Sequence, residues 1–373
     1  MLNISVNRNK FLKAISIVEK AISENKIRPI LSGIFLEAKE DKIVLKGTNM
    51  EINIQSQIFG KINNQGEIVF PYQLVNDYLK EIEDEEIQLV ELDEILLIES
   101  ENSTSEFTIY DASEYPRISG NIQGVENELS KHLLIDMLEK VKFASATNTD
   151  SPEISCVKLE LENDKLRMVA TDTYRLVYVE EKVEDITSNI SISIPLYSVE
   201  ALIKILKNVG DDFVKFTYSG NQISFEIEKI FFMTRVIDLA FPDYKGILEN
   251  MIYDKKVLIE TEPFISTLKR VQVFVKNNNE SKNSALFNLQ GEEFIITGVS
   301  DTAKIKEEIK IAKDGEDIKL SLNVKFLLEY LLNTDKDKKT SFEMSNSNGA
   351  VLIKSESNDK YLYILMPLAL IED

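Results

Sequence analysis

The chain has no tryptophan, one cysteine and one histidine in 373 residues. A lone Cys156 excludes an internal disulfide and any C-x-x-C metal or redox pair. Its expected place is the core, where a free cysteine packs as a small hydrophobe. With His132 alone there is no second imidazole for a His-rich metal site. A Ser-His-Asp arrangement would have to use it, and it stands at the start of a helix-like pattern, where a surface or capping role is the reading. The 13 glycines are scattered and never take the spacing of a phosphate-binding loop. No apolar run approaches the roughly 20 residues of a membrane span. Met1–Val6 alternates like a strand and lacks a signal-peptide core. These absences predict a cytoplasmic protein with no membrane partner and no His- or Cys-based metal site, and they narrow the options for cofactor binding and catalysis. The paired acids Glu85-Glu86 and Asp211-Asp212 read as solvated loops before strands rather than as an acid/base pair.

What is present is a threefold internal grammar. An alternating apolar run, a short turn and a second run precede Ala170-Thr171-Asp172-Thr173-Tyr174-Arg175-Leu176. The same arrangement precedes Gly47-Thr48-Asn49-Met50-Glu51 and Gly298-Val299-Ser300-Asp301. Each third opens with a helical pattern: Phe11, Leu12, Ile15, Val18 and Ile22 in the first, with Asn7 or Asn9 as cap; Leu133 to Val141 in the second, after Ser130; Phe264 to Val271 in the third, with Pro263 in its first turn. A strand, a second helical pattern and further strands follow in each third. The spacing therefore predicts an α+β chain of three similar domains, each a twice-repeated strand-helix-strands unit, over 1–122, 123–250 and 251–373. The first boundary falls in the polar stretch Ser119–Gly124, and the second lies after Phe241-Pro242-Asp243-Tyr244. Pro–Tyr clusters at repeat ends read as linker-anchoring turns. Repeats stack to bury what one cannot, and head-to-tail contacts between copies can close into a ring.

The net charge is −20, which taken whole argues against nucleic acid. Its distribution says otherwise. The helix-like segments are basic on balance, with Arg8, Lys10, Lys13, Lys20 and Lys26 against Glu19 and Glu24 in the first, so strands and loops carry the acid. Lysines on amphipathic helices can be an ordinary solvated face. They can also share one surface that attracts phosphates. No aromatic residues are interleaved with them in sequence, so contacts to the backbone rather than to bases are expected.

Arg28-Pro29-Ile30-Leu31-Ser32-Gly33, Ala170–Leu176, Phe241–Tyr244 and Tyr363-Ile364-Leu365-Met366-Pro367-Leu368, in this order on a threefold repeat, resemble the bacterial sliding clamp, the beta subunit of DNA polymerase III holoenzyme. The resemblance covers the whole chain. It implies a DNA clamp fold: a head-to-tail homodimeric ring, helices lining the hole and sheets outside. Such a ring encircles double-stranded DNA and tethers the replicative polymerase as a processivity factor with no catalytic residues, metal or cofactor of its own, and ATP hydrolysis belongs to a separate clamp loader. Polymerase, loader and repair proteins would bind through short linear peptides in a cleft between the second and third domains. Carried over by motif, Thr171, Thr173, Arg175 and Leu176 form one wall, Pro242 and Ile247 another. Ile364, Met366, Pro367 and Leu368 come from the last strand, and Asn323 and Phe326 from the start of the last domain's second helix. DNA contacts would come from Lys10, Lys13, Lys20, Lys26 and Arg28. The dimer contact would set Phe107 and Ile109 of one chain against Val273 and Phe274 of its partner; a bare apolar edge strand would otherwise be a liability. Where the family often has His and a basic residue this chain has Tyr174 and Ala369, and Gly246 stands where some members carry Arg. Two further readings compete: an enzyme with carboxylates in an inter-domain cleft, and a scaffold protein that binds no DNA.

Overall fold

The computed structural model describes residues 1–373 except 24, 118–119, 121, 149, 185–188, 279–280 and 371–373. Ser119 and Asn121 of the expected linker lie outside the described residues. Seven α-helices occur among those described: α1 (Arg8–Val18), α2 (Tyr72–Glu81), α3 (Lys131–Lys142), α4 (Leu196–Leu206), α5 (Tyr244–Glu249), α6 (Thr261–Val275) and α7 (Val324–Leu331). α1 starts where Asn7 Oδ1 accepts the Lys10 N–H at 3.2 Å, satisfying one of the free donors of its first turn. It buries Phe11, Ile15 and Val18. It is shorter than its sequence pattern: after Val18 a 3-10 turn, Glu19–Ala21, leads to Ile22 in extended backbone. The apolar period survives the change of helix type and hides the break.

The chain folds into two compact units, residues 1–135 with 197–236, and residues 136–196 with 237–373. In the first unit a five-stranded antiparallel sheet runs Lys61–Asn64, Asn3–Asn7, Glu86–Leu92, Ile95–Glu99, Thr104–Thr108. Its eight-stranded sheet joins Gly33–Lys39, Lys42–Thr48, Ile52–Ile58 and Gly66–Pro71 to Val125–Ser130, Phe213–Ser219, Gln222–Ile227 and Ile230–Arg235. The joint is the pairing of Ile230–Arg235 with Ile52–Ile58.

In the second unit a nine-stranded sheet is joined in the same way, by Arg175–Lys182 against Asn358–Leu365. A four-stranded sheet runs Lys304–Lys310, Glu293–Val299, Ser284–Gln290, Ile318–Asn323. Two units rather than three emerge because these sheets run through the middle of the sequence repeat. Side chains alternate across each strand, so one face of the nine-stranded sheet presents Val177, Val179, Tyr361 and Tyr363 to a buried core. There the Tyr330 and Tyr363 rings stack at 4.7 Å.

Candidate partner cleft and nucleic-acid surface

The turn Thr171–Arg175 builds its own scaffold. Thr171 Oγ1 donates to the Arg175 carbonyl at 2.6 Å and accepts the Thr173 N–H at 3.1 Å. Asp172 Oδ1 accepts the N–H groups of Tyr174 and Arg175, each at 3.0 Å. Thr173 is thereby held at φ +76°, a region that non-glycine residues rarely adopt. The turn at Thr48 repeats this bond for bond, with Thr48 Oγ1 to the Ile52 carbonyl at 2.7 Å, Asn49 Oδ1 to the Ile52 N–H at 2.8 Å, and Met50 at φ +78°. The third copy differs. Val299 stands in the threonine's place, and Ser300 closes the turn by accepting the Ala303 N–H at 3.0 Å.

Arg175 and Leu176, expected on one wall, point to opposite faces of the sheet, as consecutive strand residues must. The Arg175 side chain is buried on the helix side. It pairs with Asp172 Oδ2 at 2.9 Å and with Glu329, donates to the Phe143 carbonyl at 2.5 Å, and lies 3.9 Å from the centre of the Phe326 ring. Burial works against its charge, but Tyr363, Glu329 and Asp172 outweigh that and hold the guanidinium ionised. Every face of Arg175 is occupied, so it supports the cleft and is not a free contact.

Leu176 lies on the other face, in a cross-strand row with Thr171, Ile364 and Leu352. Val169, Leu176, Ile364, Leu352 and Tyr244 form one buried apolar cluster, with Tyr178, Phe241 and Leu248 packed against it. Motif matching does not reach Leu352, Tyr178 or Tyr244; cross-strand register groups the first two, and Tyr244 joins them only through the packing of α5. The Pro–Tyr cluster is more than a turn. Asp243 Oδ1 caps α5 through the Gly246 N–H at 3.0 Å. Tyr244 then anchors α5, donating to Glu160 Oε2 at 2.6 Å, while Lys245 pairs with the same carboxylate at 3.0 Å. Burial pushes the Glu160 carboxyl up, yet Tyr244 and Lys245 prevail and leave it below the usual range.

Exposed apolar side chains border this floor: Tyr174 at 63%, Ile247 at 43% and Met366 at 39%. Pro242, half-buried, precedes the α5 cap. Met366 is tied to the turn by its N–H to the Tyr174 carbonyl at 2.9 Å, and Leu368 to Ser321 by a backbone bond of 2.8 Å. Pro367, between them, and Phe326 are half-buried. Asn323 spends its side-chain oxygen capping α7 through the Phe326 N–H at 3.2 Å. A flexible Met beside buried Leu and Ile makes an adaptable apolar site. The counterpart row in the first unit is Thr48, Asn53, Met233, Ser224. There Asn53 replaces Leu176 and is buried, its Nδ2 without a hydrogen-bond partner among the described residues. The apolar floor belongs to one joint, not to the repeat.

Of the basic residues, Lys10 and Lys13 stand exposed on α1 and form no ion pair among the described residues, and Lys26 and Arg28 are exposed in the loop beyond it. Lys20 is turned back onto its own helix, on the Ser16 carbonyl and 3.6 Å from Glu19. Elsewhere the basic helix faces are partly neutralised: Lys131 is buried on the Val209 carbonyl at 2.8 Å, Lys140 pairs with Asp136 at 2.6 Å, and Arg270 pairs with Glu307 at 2.7 Å.

At the expected dimer contact, Phe107 is only 6% exposed and packs on the Tyr78 ring at 5.4 Å. Its side chain belongs to the core, and Thr104–Thr108 offers a backbone edge instead. Ile109 and Phe274 are half-buried, while Val273 is exposed on α6. Lys304–Lys310 is a second edge strand, and α6 packs against it. Among the described residues no helix is long and apolar enough to cross a membrane, and no three His, Cys, Asp or Glu side chains gather as a metal site.

A threefold α+β repeat joined through shared antiparallel sheets defines the DNA clamp class. The family models for the DNA polymerase III beta subunit match in order: N-terminal domain over residues 2–119, central domain over 128–243 and C-terminal domain over 252–369. The chain belongs to that family, the bacterial sliding clamps, and as such is a non-catalytic processivity factor of DNA polymerase III. The beta sliding clamp of Staphylococcus epidermidis RP62A is 25% identical and that of Staphylococcus aureus Mu50 24%, each over 99% of both chains. The crystal structure of the Thermotoga maritima DNA polymerase III beta subunit is 26% identical, with TM-score 0.91 and all of both chains covered. That of the Bacillus subtilis sliding clamp is 20% identical, with TM-score 0.93, covering 99% of this chain and all of the other.

Proposed function

We propose that two copies of this chain close head to tail into a cytoplasmic ring of six domains, three per chain over 1–122, 123–250 and 251–373. The ring encircles duplex DNA and holds polymerase, clamp loader and repair proteins by short peptides in the Leu176–Met366 cleft. One observation carries the reading: the chain repeats its own joint and leaves both halves of a third one open. Three backbone bonds mark equivalent strand ends, Tyr110 N–H to Val69 at 2.9 Å, Ile237 N–H to Ser193 at 2.8 Å and Leu368 N–H to Ser321 at 2.8 Å. At both internal joints the N–H two residues earlier bonds the turn carbonyl: Arg235 to Glu51 at 3.0 Å and Met366 to Tyr174 at 2.9 Å. The third turn ends at Thr302 beside an edge strand, and the first strand end leaves Thr108 on an edge. By the same register, Thr108 N–H of one copy bonds the Thr302 carbonyl of the other, Phe107 faces Ala303, and Glu106 faces Lys304. Val273 and Phe274 then flank the seam from α6.

In this ring Lys10, Lys13, Lys26 and Arg28 contact phosphates without reading sequence, and Lys20 adds charge from the same face. The test is retention on nicked circular against linear duplex, with the matching loader. Retention on the circle alone is expected, and equal loss from both forms would sink the reading. Charge reversal of Lys10 and Lys13 should weaken duplex affinity and the yield of loading, without releasing rings already closed on a circle. If affinity and loading are unchanged, the ring does not use α1 for DNA.

A further inference from the structure

A hollow of about 540 Å³ opens beside α1 in the first unit. Lys10 and Lys13 line it from the helix, Ile17 and Ile230 from its floor, and Phe59 and Lys229 from two hairpin tips. Phe59 is 60% exposed even with the Lys229 ammonium over its ring at 3.1 Å. In sequence Phe59 stands far from all three lysines, so only the fold brings the aromatic ring and the cations together. Of the two carboxylates on the rim, Glu228 is engaged by the Gly210 N–H at 2.5 Å and Asp211 is exposed.

The internal repeat shows that this hollow is not a necessity of the fold. In the second unit Lys140 stands where Ile17 does and Tyr361 where Ile230 does. They plug the place: Tyr361 is buried, donates to the Lys140 carbonyl at 3.0 Å and lies under the Lys140 ammonium at 5.7 Å. The first unit has the smaller Ile230, and Lys10 and Lys13 form no ion pair among the described residues.

We propose that this hollow holds an unpaired nucleotide of the DNA, its base against Phe59 and its phosphates on Lys10, Lys13 and Lys229. An exposed aromatic ring within a lysine-rimmed groove is the arrangement that binds single strands without sequence preference. A duplex keeps its bases stacked and cannot reach the ring. The proposal rests on the reading of α1 as a DNA-facing helix.

The experiment measures anisotropy of a labelled oligothymidylate of about eight nucleotides on the full-length protein, beside a matched duplex and retention on nicked circles. Phe59→Ala should weaken oligothymidylate binding about fivefold or more, Phe59→Trp should restore it, and Ile230→Tyr should block it by filling the floor. Duplex affinity, circle retention and melting should stay as in the parent. Oligothymidylate affinity unchanged by Phe59→Ala and Ile230→Tyr overturns the proposal, as does an equal loss on the matched duplex. Failure of circle retention in the parent protein overturns the ring instead.

Discussion

The guanidinium of Arg175 lies 3.9 Å from the centre of the Phe326 ring, on the side of the sheet opposite Leu176. This contact ties the turn at Thr171 to α7, which the chain reaches only some 150 residues later. It explains why this copy of the turn carries an arginine where the first carries Ile52. Arg175→Ala leaves Glu329 and Asp172 facing each other without their cation. The expected loss is about 2–3 kcal/mol, below the full value for a buried pair because Glu329 is partly solvated. It should appear as a lower urea midpoint, accompanied by weaker peptide binding. An unchanged midpoint would show that the turn stands without it.

Met366→Ala combined with Leu368→Ala removes apolar surface from the cleft border but not its floor. Affinity for a polymerase-derived peptide should fall at least about tenfold, roughly 1.4 kcal/mol, with the dimer mass unchanged. Leu176→Asn, which copies Asn53 of the other joint, should go further and cost stability as well. Titration calorimetry with light scattering separates the two effects, and full affinity in the double variant would remove these residues from the site.

The register of the seam between copies predicts a charge pair. Glu106→Lys alone and Lys304→Glu alone should each weaken the dimer, and the two together should recover much of the loss. Thr108→Pro should be worse than either, because it deletes the N–H aimed at Thr302. Sedimentation across a dilution series reads all four. No recovery in the double variant would refute this register while leaving the edge pairing itself open to another.

Acid should loosen the second unit. Burial pushes the Glu180 carboxyl up, but bonds from Arg167, Tyr178 and Lys165 outweigh it and bring its pKa to about 2, against an ordinary 4.5. A carboxyl lowered by folding stabilises at every pH above its unfolded value. That contribution drains away as pH falls from about 4.5 toward 2. Glu180→Gln should cost about 1 kcal/mol at neutral pH, allowing for solvent screening, and should flatten the acid limb of a melting-temperature profile. The same slope in variant and parent would place the acid sensitivity elsewhere, Glu160 being the next candidate.

The threefold plan was legible because a period-two run, a turn and a helical stripe recur in each third, and burial needs those periods. The extent of α1 was not, since Ile22 keeps the helical spacing after the backbone has left it. α5 is six residues long and contains Gly246, too short and too broken for a periodic signal. For the cleft, sequence located the strands but not the faces. Arg175 and Leu176 are adjacent, and only the register with Leu365 and Ile364 shows one facing the helices and the other the floor. Nor was the face of Phe107 legible: the resemblance places it on an edge strand, and an edge strand reads alike in sequence whichever way its side chain turns.

Cys156 has a practical consequence. It is fully buried, and burial pushes its thiol up to about 11, so in the folded protein it is almost entirely protonated at neutral pH and sheltered from alkylating reagents. The unmodified chain is therefore a silent background for cysteine chemistry. A pair of cysteines placed at 108 and 302 would be the only reactive thiols in the preparation. Whether they cross-link within one polypeptide, between two or not at all can be read from a non-reducing gel.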